Sequence, residues 1–234
     1  MEIIGSGHKK GEDTGSRLFI ELVKREFSCG THFDRLFQKD DIAVGSGEYT
    51  PTQLAIQLLD LIKIRSREGT YKCISIPCHS ASSCIMNDLL RNRFKIYNIA
   101  IYEPISSVCR YIINTNNIRN VLILCTPLTA QLLWHKKILE KYDIECQYIT
   151  FPILAKTIDN RGDYEKGLEP LRSVSCKMRT FIQKKCDVVV CGCTHYNEVM
   201  DLIKNILKGY NYQGCILDSN ELVKEDIKND NVYI

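Results

Sequence analysis

Asp187–Tyr196 reads Asp-Val-Val-Val-Cys-Gly-Cys-Thr-His-Tyr. A β-branched apolar run stops at Gly192, and a helical pattern begins after Cys193 and Thr194. Such a run is a buried strand whose end presents one thiol, Cys193, in front of a helix. Lys72–Ser82, Lys-Cys-Ile-Ser-Ile-Pro-Cys-His-Ser-Ala-Ser, repeats the design with Cys78 in the matching place. The two stretches predict that both thiols face one small-molecule site.

Outward from these stretches, apolar runs and helical periodicities alternate along the chain. Glu2–Ile4 runs into Gly5-Ser6-Gly7 and a helix from about Asp13. Ile42–Val44 enters Gly45-Ser46-Gly47, and Thr50-Pro51 reads as an N-cap followed by proline at the first helical position. Cys73–Ile76, Ile96–Ile101, Val121–Cys125, Glu145–Tyr148, Val188–Cys191 and Cys215–Leu217 supply further strands. Helical spacing follows most of them, including one stretch over Tyr164–Lys185, while Phe151–Arg161 stays ambiguous between a short helix and a loop. Alternation of this kind predicts an α/β fold with mainly parallel sheets flanked by helices. The pattern restarts near Ile96, which divides the chain into two similar α/β halves. The first, 1–97 plus 209–234, carries Cys78 and is completed by the C-terminal strand and helix; the second, 98–208, carries Cys193. Ligands in such sheets bind beyond the carboxyl ends of the strands. Ser6, Ser46, Cys78, His79, Ser80, Thr126, Cys193, Thr194 and His195 all fall there.

Composition narrows the class. Of 234 residues, 44% are apolar and 25% charged, as in globular proteins, and the net charge of +3 is scattered rather than striped. No nucleic-acid-binding module is evident. No apolar run approaches the ~20 residues of a membrane span, and the N-terminus lacks a signal pattern, so the chain is expected to be cytoplasmic with no membrane partner. Twelve cysteines in that setting read as reduced thiols, most of them small core hydrophobes. Cys191-Gly-Cys193-Thr-His195 has no second ligand pair at zinc spacing, so no metal site is expected.

A thiolate is the reactive form of cysteine, and a helix N-terminus lowers a thiol's pKa from ~8.5 toward neutrality. One thiolate can take a proton from a carbon acid while a thiol opposite returns one to the other face. That inverts a stereocentre without metal or organic cofactor. Chemistry with a single base gives no reason for two thiols in matching settings.

Pro77-Cys78-His79-Ser80-Ala81 resembles the Pro/Ala-Cys-Asn-Thr-Ala motif of the cofactor-independent aspartate/glutamate racemase family, and Gly192-Cys193-Thr194-His195-Tyr196 resembles its Gly-Cys-Thr-His/Glu motif. Ile101-Tyr102-Glu103-Pro104, Val121–Thr126 with Thr129, and Leu217-Asp218-Ser219 resemble further family segments in the same order. The resemblance implies two pseudo-symmetric domains with the active site in the cleft between them. It also implies racemisation of aspartate, glutamate or a related amino acid by Cys78 and Cys193, no cofactor, and a homodimer. The substrate-binding residues expected are Ser6, Ser46, His79, Ser80, Thr126, Thr194 and His195. His79 departs from the family's asparagine, Tyr49 stands where aspartate racemases have arginine, and Arg161 lies where they have lysine. His195 is the glutamate-racemase choice. Two alternatives stay open: a one-thiol isomerase or decarboxylase, and an altered or inactive relative that binds a small carboxylate.

Overall fold

A computed structural model describes residues 2–5, 14–26, 32–35, 50–68, 73–90 and 98–230. Ser6, Ser46, Tyr49 and the expected strand at 42–44 lie outside the described residues.

Two four-stranded parallel sheets carry the fold. The first is built from β1 (Glu2–Gly5), β2 (His32–Arg35), β3 (Cys73–Ser75) and β4 (Ala100–Tyr102), in the order β2-β1-β3-β4. The second uses β5 (Asn120–Cys125), β6 (Glu145–Thr150), β7 (Val188–Gly192) and β8 (Cys215–Asp218), in the order β6-β5-β7-β8. The orders are the same when each sheet is numbered from its own first strand, so the two halves share a topology. All recorded pairings are parallel. In the second sheet Val121, Ile123, Val188 and Val190 enter one core, while Leu122, Leu124, Val189 and Cys191 enter the other. Both faces are thus covered, which is why its central strands read as continuous apolar runs.

The first-half helices are α1 (Thr14–Glu26), α2 (Pro51–Glu68) and α3 (His79–Leu90). After β4 comes α4 (Pro104–Asn114). Its N-cap Glu103 is buried and accepts from the amides of Ile105 and Ser106, both at 2.7 Å. Burial raises the Glu103 carboxyl above its usual range, and the bonds at Ser106 and Ile105 oppose that. Glu103 therefore has the structural role of a cap.

Four elements differ from expectation. The strand at Ile96–Ile101, expected to open the second half, is seen as β4 (Ala100–Tyr102), which pairs with β3 and closes the first sheet. β8 pairs with β7, so the C-terminal strand belongs to the second sheet and does not complete the first. Its helix, α12 (Ser219–Asn229), packs on the first sheet's side, where Val223 and Ile227 join Phe19, Cys73 and Tyr102 in one core. Arg110 on α4 holds Asp226 at 2.9 Å, and the Tyr102 hydroxyl donates to Asp230 at 3.0 Å.

The helix expected after Thr126 breaks at Leu133, whose φ of 56° is left-handed. The pieces are α5 (Pro127–Leu132) and α6 (Trp134–Leu139). The region 151–161 resolves into α7 (Leu154–Asp159) with short flanks. The single helix expected over 164–185 is three: α8 (Tyr164–Gly167), α9 (Glu169–Arg172) and α10 (Cys176–Lys184). Pro170, in the first turn of α9, has no N–H to continue a helix, and Ser175 starts α10 by accepting from the Met178 amide at 3.2 Å. The apolar spacing survives because Leu168, Leu171, Phe181 and Ile182 all enter one core.

Gly192 ends β7 where the neighbouring strand approaches closely. A Cβ there would lie 2.9 Å from Ile123 Cγ2, 3.1 Å from the Leu124 carbonyl oxygen and 3.2 Å from Cys125 Cβ. Gly192→Ala is expected to cost about 1–3 kcal/mol through overpacking, and a urea unfolding midpoint equal to wild type would contradict this.

Candidate active site

Cys78 immediately precedes α3. Its sulfur lies 3.5 Å from the Ala81 amide nitrogen, which donates to it, as expected for a thiol at a helix N-terminus. The Ser82 hydroxyl donates back to the Cys78 carbonyl at 2.8 Å and locks the turn. Ser80, expected to cap or bind, joins a buried hydroxyl cluster. Its Oγ is 2.8 Å from Thr126 Oγ1 and 3.4 Å from Thr129 Oγ1, and the two threonines are 3.1 Å apart. Thr126 also caps α5, accepting from the Thr129 amide at 3.4 Å. The turn that carries Cys78 is thereby fastened to the carboxyl end of β5, the strand paired with β7.

Cys193 follows β7, but no long helix begins there. A 3-10 segment, Thr194–Val199, comes first and α11 (Met200–Gly209) only afterwards. The expected symmetry of two thiols at two helix N-termini therefore holds for Cys78 and is replaced at Cys193. What faces that sulfur is His195, with Nδ1 at 3.6 Å, and His195 Nε2 lies 3.1 Å from Asp159 Oδ2 at the end of α7. An ionised carboxylate only accepts, so in the neutral ring Nε2 carries the proton and Nδ1 offers its lone pair to the thiol. Both side chains are largely buried, at 8% and 13% exposure, where such a pair is poorly screened. Asn197 donates to Asp218 at 2.8 Å and Ser219 donates to the Cys191 carbonyl at 3.0 Å, which hold the same turn from the β8 side. Thr194 is buried.

Sequence reasoning missed Asp159. It lies 36 residues from its partner in a stretch with no clear periodicity, and only the tertiary fold joins them. The reading of His79 changes as well. Expected at a substrate carboxylate, its ring is 1% exposed and stacks on His135 of α6, with centroids 5.6 Å apart. Because α3 is entered at His79, the ring is carried into the protein while Cys78 stays half-exposed. Cys191 behaves as a core residue, with its sulfur 3.7 Å from that of Met200. A cavity of about 470 Å³ beside Glu145, Gln147, Lys177 and Lys185 lies at the amino end of β6, the opposite end of the sheet from Thr126 and Cys193. Among the described residues, no helix is long and apolar enough to cross a membrane.

No family model matches the chain. A glutamate racemase from Clostridium perfringens is 28% identical over 190 residues, spanning 80% of this chain and 70% of that protein. The crystal structure of a glutamate racemase from Bacillus anthracis aligns with 98% of this chain and 80% of its own, with a TM-score of 0.76 at 16% identity. An aspartate racemase structure from Picrophilus torridus aligns with 98% of this chain and 92% of its own, with a TM-score of 0.62 at 16% identity.

Proposed function

The chain belongs to the aspartate/glutamate racemase family, and from that premise we propose that it inverts the α-carbon of glutamate, or of a closely related amino acid, with two thiols and no cofactor. The observation that carries the reading is the Ser80–Thr126–Thr129 cluster, which ties the turn bearing Cys78 to the sheet that delivers Cys193. On this reading the substrate lies between the two halves, divided as 1–103 plus the C-terminal helix and 104–218, since β4 pairs with β3 in the first sheet. Its α-carboxylate sits over the α3 N-terminus and the Ser80 and Thr126 hydroxyls. Ser6, Ser46 and Thr194 complete its contacts. His79 is left out because its ring is buried against His135.

The two ends of the reaction differ chemically. At Cys193, His195 accepts the thiol proton at Nδ1 and Asp159 stabilises the resulting imidazolium, so a thiolate forms beside its own base. At Cys78, the α3 amides support the thiolate directly. One sulfur removes the Cα proton and the opposite thiol delivers one to the other face; the same amides stabilise the carboxylate-conjugated carbanion. Glutamate is favoured over aspartate by the curated relative, itself a glutamate racemase, and by His195. The active form is proposed to be a homodimer, which light scattering would check.

The decisive measurement is Cα hydrogen–deuterium exchange in D2O, without pyridoxal phosphate or metal, across amino acids of both hands. Exchange and inversion from both enantiomers of glutamate are expected. Exchange from one hand only would replace racemisation with one-thiol chemistry, and thermal stabilisation by glutamate with no exchange would leave a binding protein.

A further inference from the structure

His79 and His135 form a buried pair that the two-thiol reaction does not use. Their exposures are 1% and 0%, their rings lie 26° from parallel, and Tyr148 packs edge-on to His135 at 6.4 Å. All four ring nitrogens are buried with no hydrogen-bond partner among the described residues. Neutral imidazoles tolerate this as aromatic rings, whereas imidazoliums, with two N–H donors each, do not. The pair also bridges the halves. His79 opens α3, one residue after Cys78, and His135 lies on α6, which packs on β6 of the second sheet.

We propose that His79 and His135 act as a proton-released latch: as neutral rings they clamp the turn bearing Cys78 and Ser80 onto the second half, and their protonation in mild acid frees that turn.

The surroundings offer a proton no support. The titratable groups on the packed elements are Cys84 and Asp88 on α3 with Cys78 just before it, Cys109, Arg110 and Tyr111 on α4 with Glu103 at its cap, Lys136 and Lys137 on α6, and Glu145, Cys146 and Tyr148 on β6, and none bonds either ring. On α2 the charges of Asp60, Lys63, Arg67 and Glu68 face solvent and Arg65 pairs with Glu68, and α5 carries no titratable group. Tyr148 is occupied, since its oxygen accepts from the Lys136 amide at 3.0 Å. A proton on His79 would also sit at the positive end of the α3 dipole. Burial pushes His135 down to about 4, and burial together with His135 pushes His79 well below its usual value. In the unfolded chain both rings titrate near 6.5, so that state binds more protons, and stability falls as pH drops through 6.5 toward 4.

Only the consequence for catalysis rests on the racemase reading; the latch itself is tested without turnover. Thermal unfolding and emission of Trp134, the single tryptophan and the neighbour of His135, are followed in the full chain between pH 7.5 and 5. The wild-type midpoint is expected to fall by at least about 5 °C, and the fall to shrink by half or more in His79→Phe/His135→Phe. Hydrogen exchange at pH 5.5 should show loss of protection in 76–86 before 201–208. Equal pH dependence in wild type and double variant, or uniform loss of protection along the chain, overturns the proposal. Should the double variant fail to fold, ring-proton NMR of the wild type decides: two histidines with midpoints below about 5.5 support the latch, and five titrating near 6.5 overturn it.

Discussion

Cys78→Ser and Cys193→Ser are each expected to abolish inversion, by about a thousandfold or more, while leaving the fold intact. Serine keeps the shape of the side chain and offers a hydroxyl whose ionisation lies far above that of a thiol, so the base is removed with little repacking. Neither sulfur is bulky: Cys78 is half-buried, and Cys193, 8% exposed, sits at a strand end on the margin of a core. The pair of variants also separates the roles. Each should retain slow Cα–H exchange from the one enantiomer its surviving thiol can reach, and the two variants should retain opposite hands. Full activity in both would remove the two-thiol mechanism, and retention of the same hand in both would show that one base serves both faces.

The second large effect is expected at Asp159. Asparagine is nearly isosteric, but its amide can turn an N–H toward His195 Nε2 and draw the ring proton onto Nδ1. That proton would then face the Cys193 sulfur 3.6 Å away, and the ring could no longer accept from the thiol. A loss of about 10²–10⁴ in inversion follows if His195 is the base for Cys193. The rate of Cys193 alkylation at one fixed pH should fall with it, whereas that of Cys78 should not. Wild-type rates in Asp159→Asn would reduce the contact at 3.1 Å to a structural one.

What could be read from the chain divides by the range of the interactions involved. The two cysteine turns were legible because each is punctuated locally: an apolar run, a small residue, a thiol, then hydroxyls. Glu103-Pro104 and Thr126-Pro127 announced their helices in the same way. The sheet to which Cys215–Asp218 belongs was not legible, because a short apolar parallel strand does not encode its neighbour. The breaks at Leu133 and between Gly167 and Cys176 were hidden because apolar spacing continued across them and the packing kept it. Asp159 and the burial of His79 needed tertiary contacts, with His195 and with His135, that no local pattern contains. Motif comparison assigned His79 a ligand's role by position, and its surroundings gave it a different one.

The crossing of the chain between halves carries one more consequence. Among the described residues the polypeptide passes from β4 of the first sheet into α4, whose Ile105, Val108 and Ile112 pack under the second sheet, and it passes back from β8 into α12. Each crossing is a sharp strand-to-helix turn fixed by an acidic cap, Glu103 at one and Asp218 at the other. The two helices that follow are pinned together through Arg110 and Asp226. Two straps set side by side behave like a pair of door hinges: sliding and twisting are stiff, and swinging about the line through them is soft. On the proposed two-thiol reading, such a mounting would let the halves part to admit a substrate and close again along the same line.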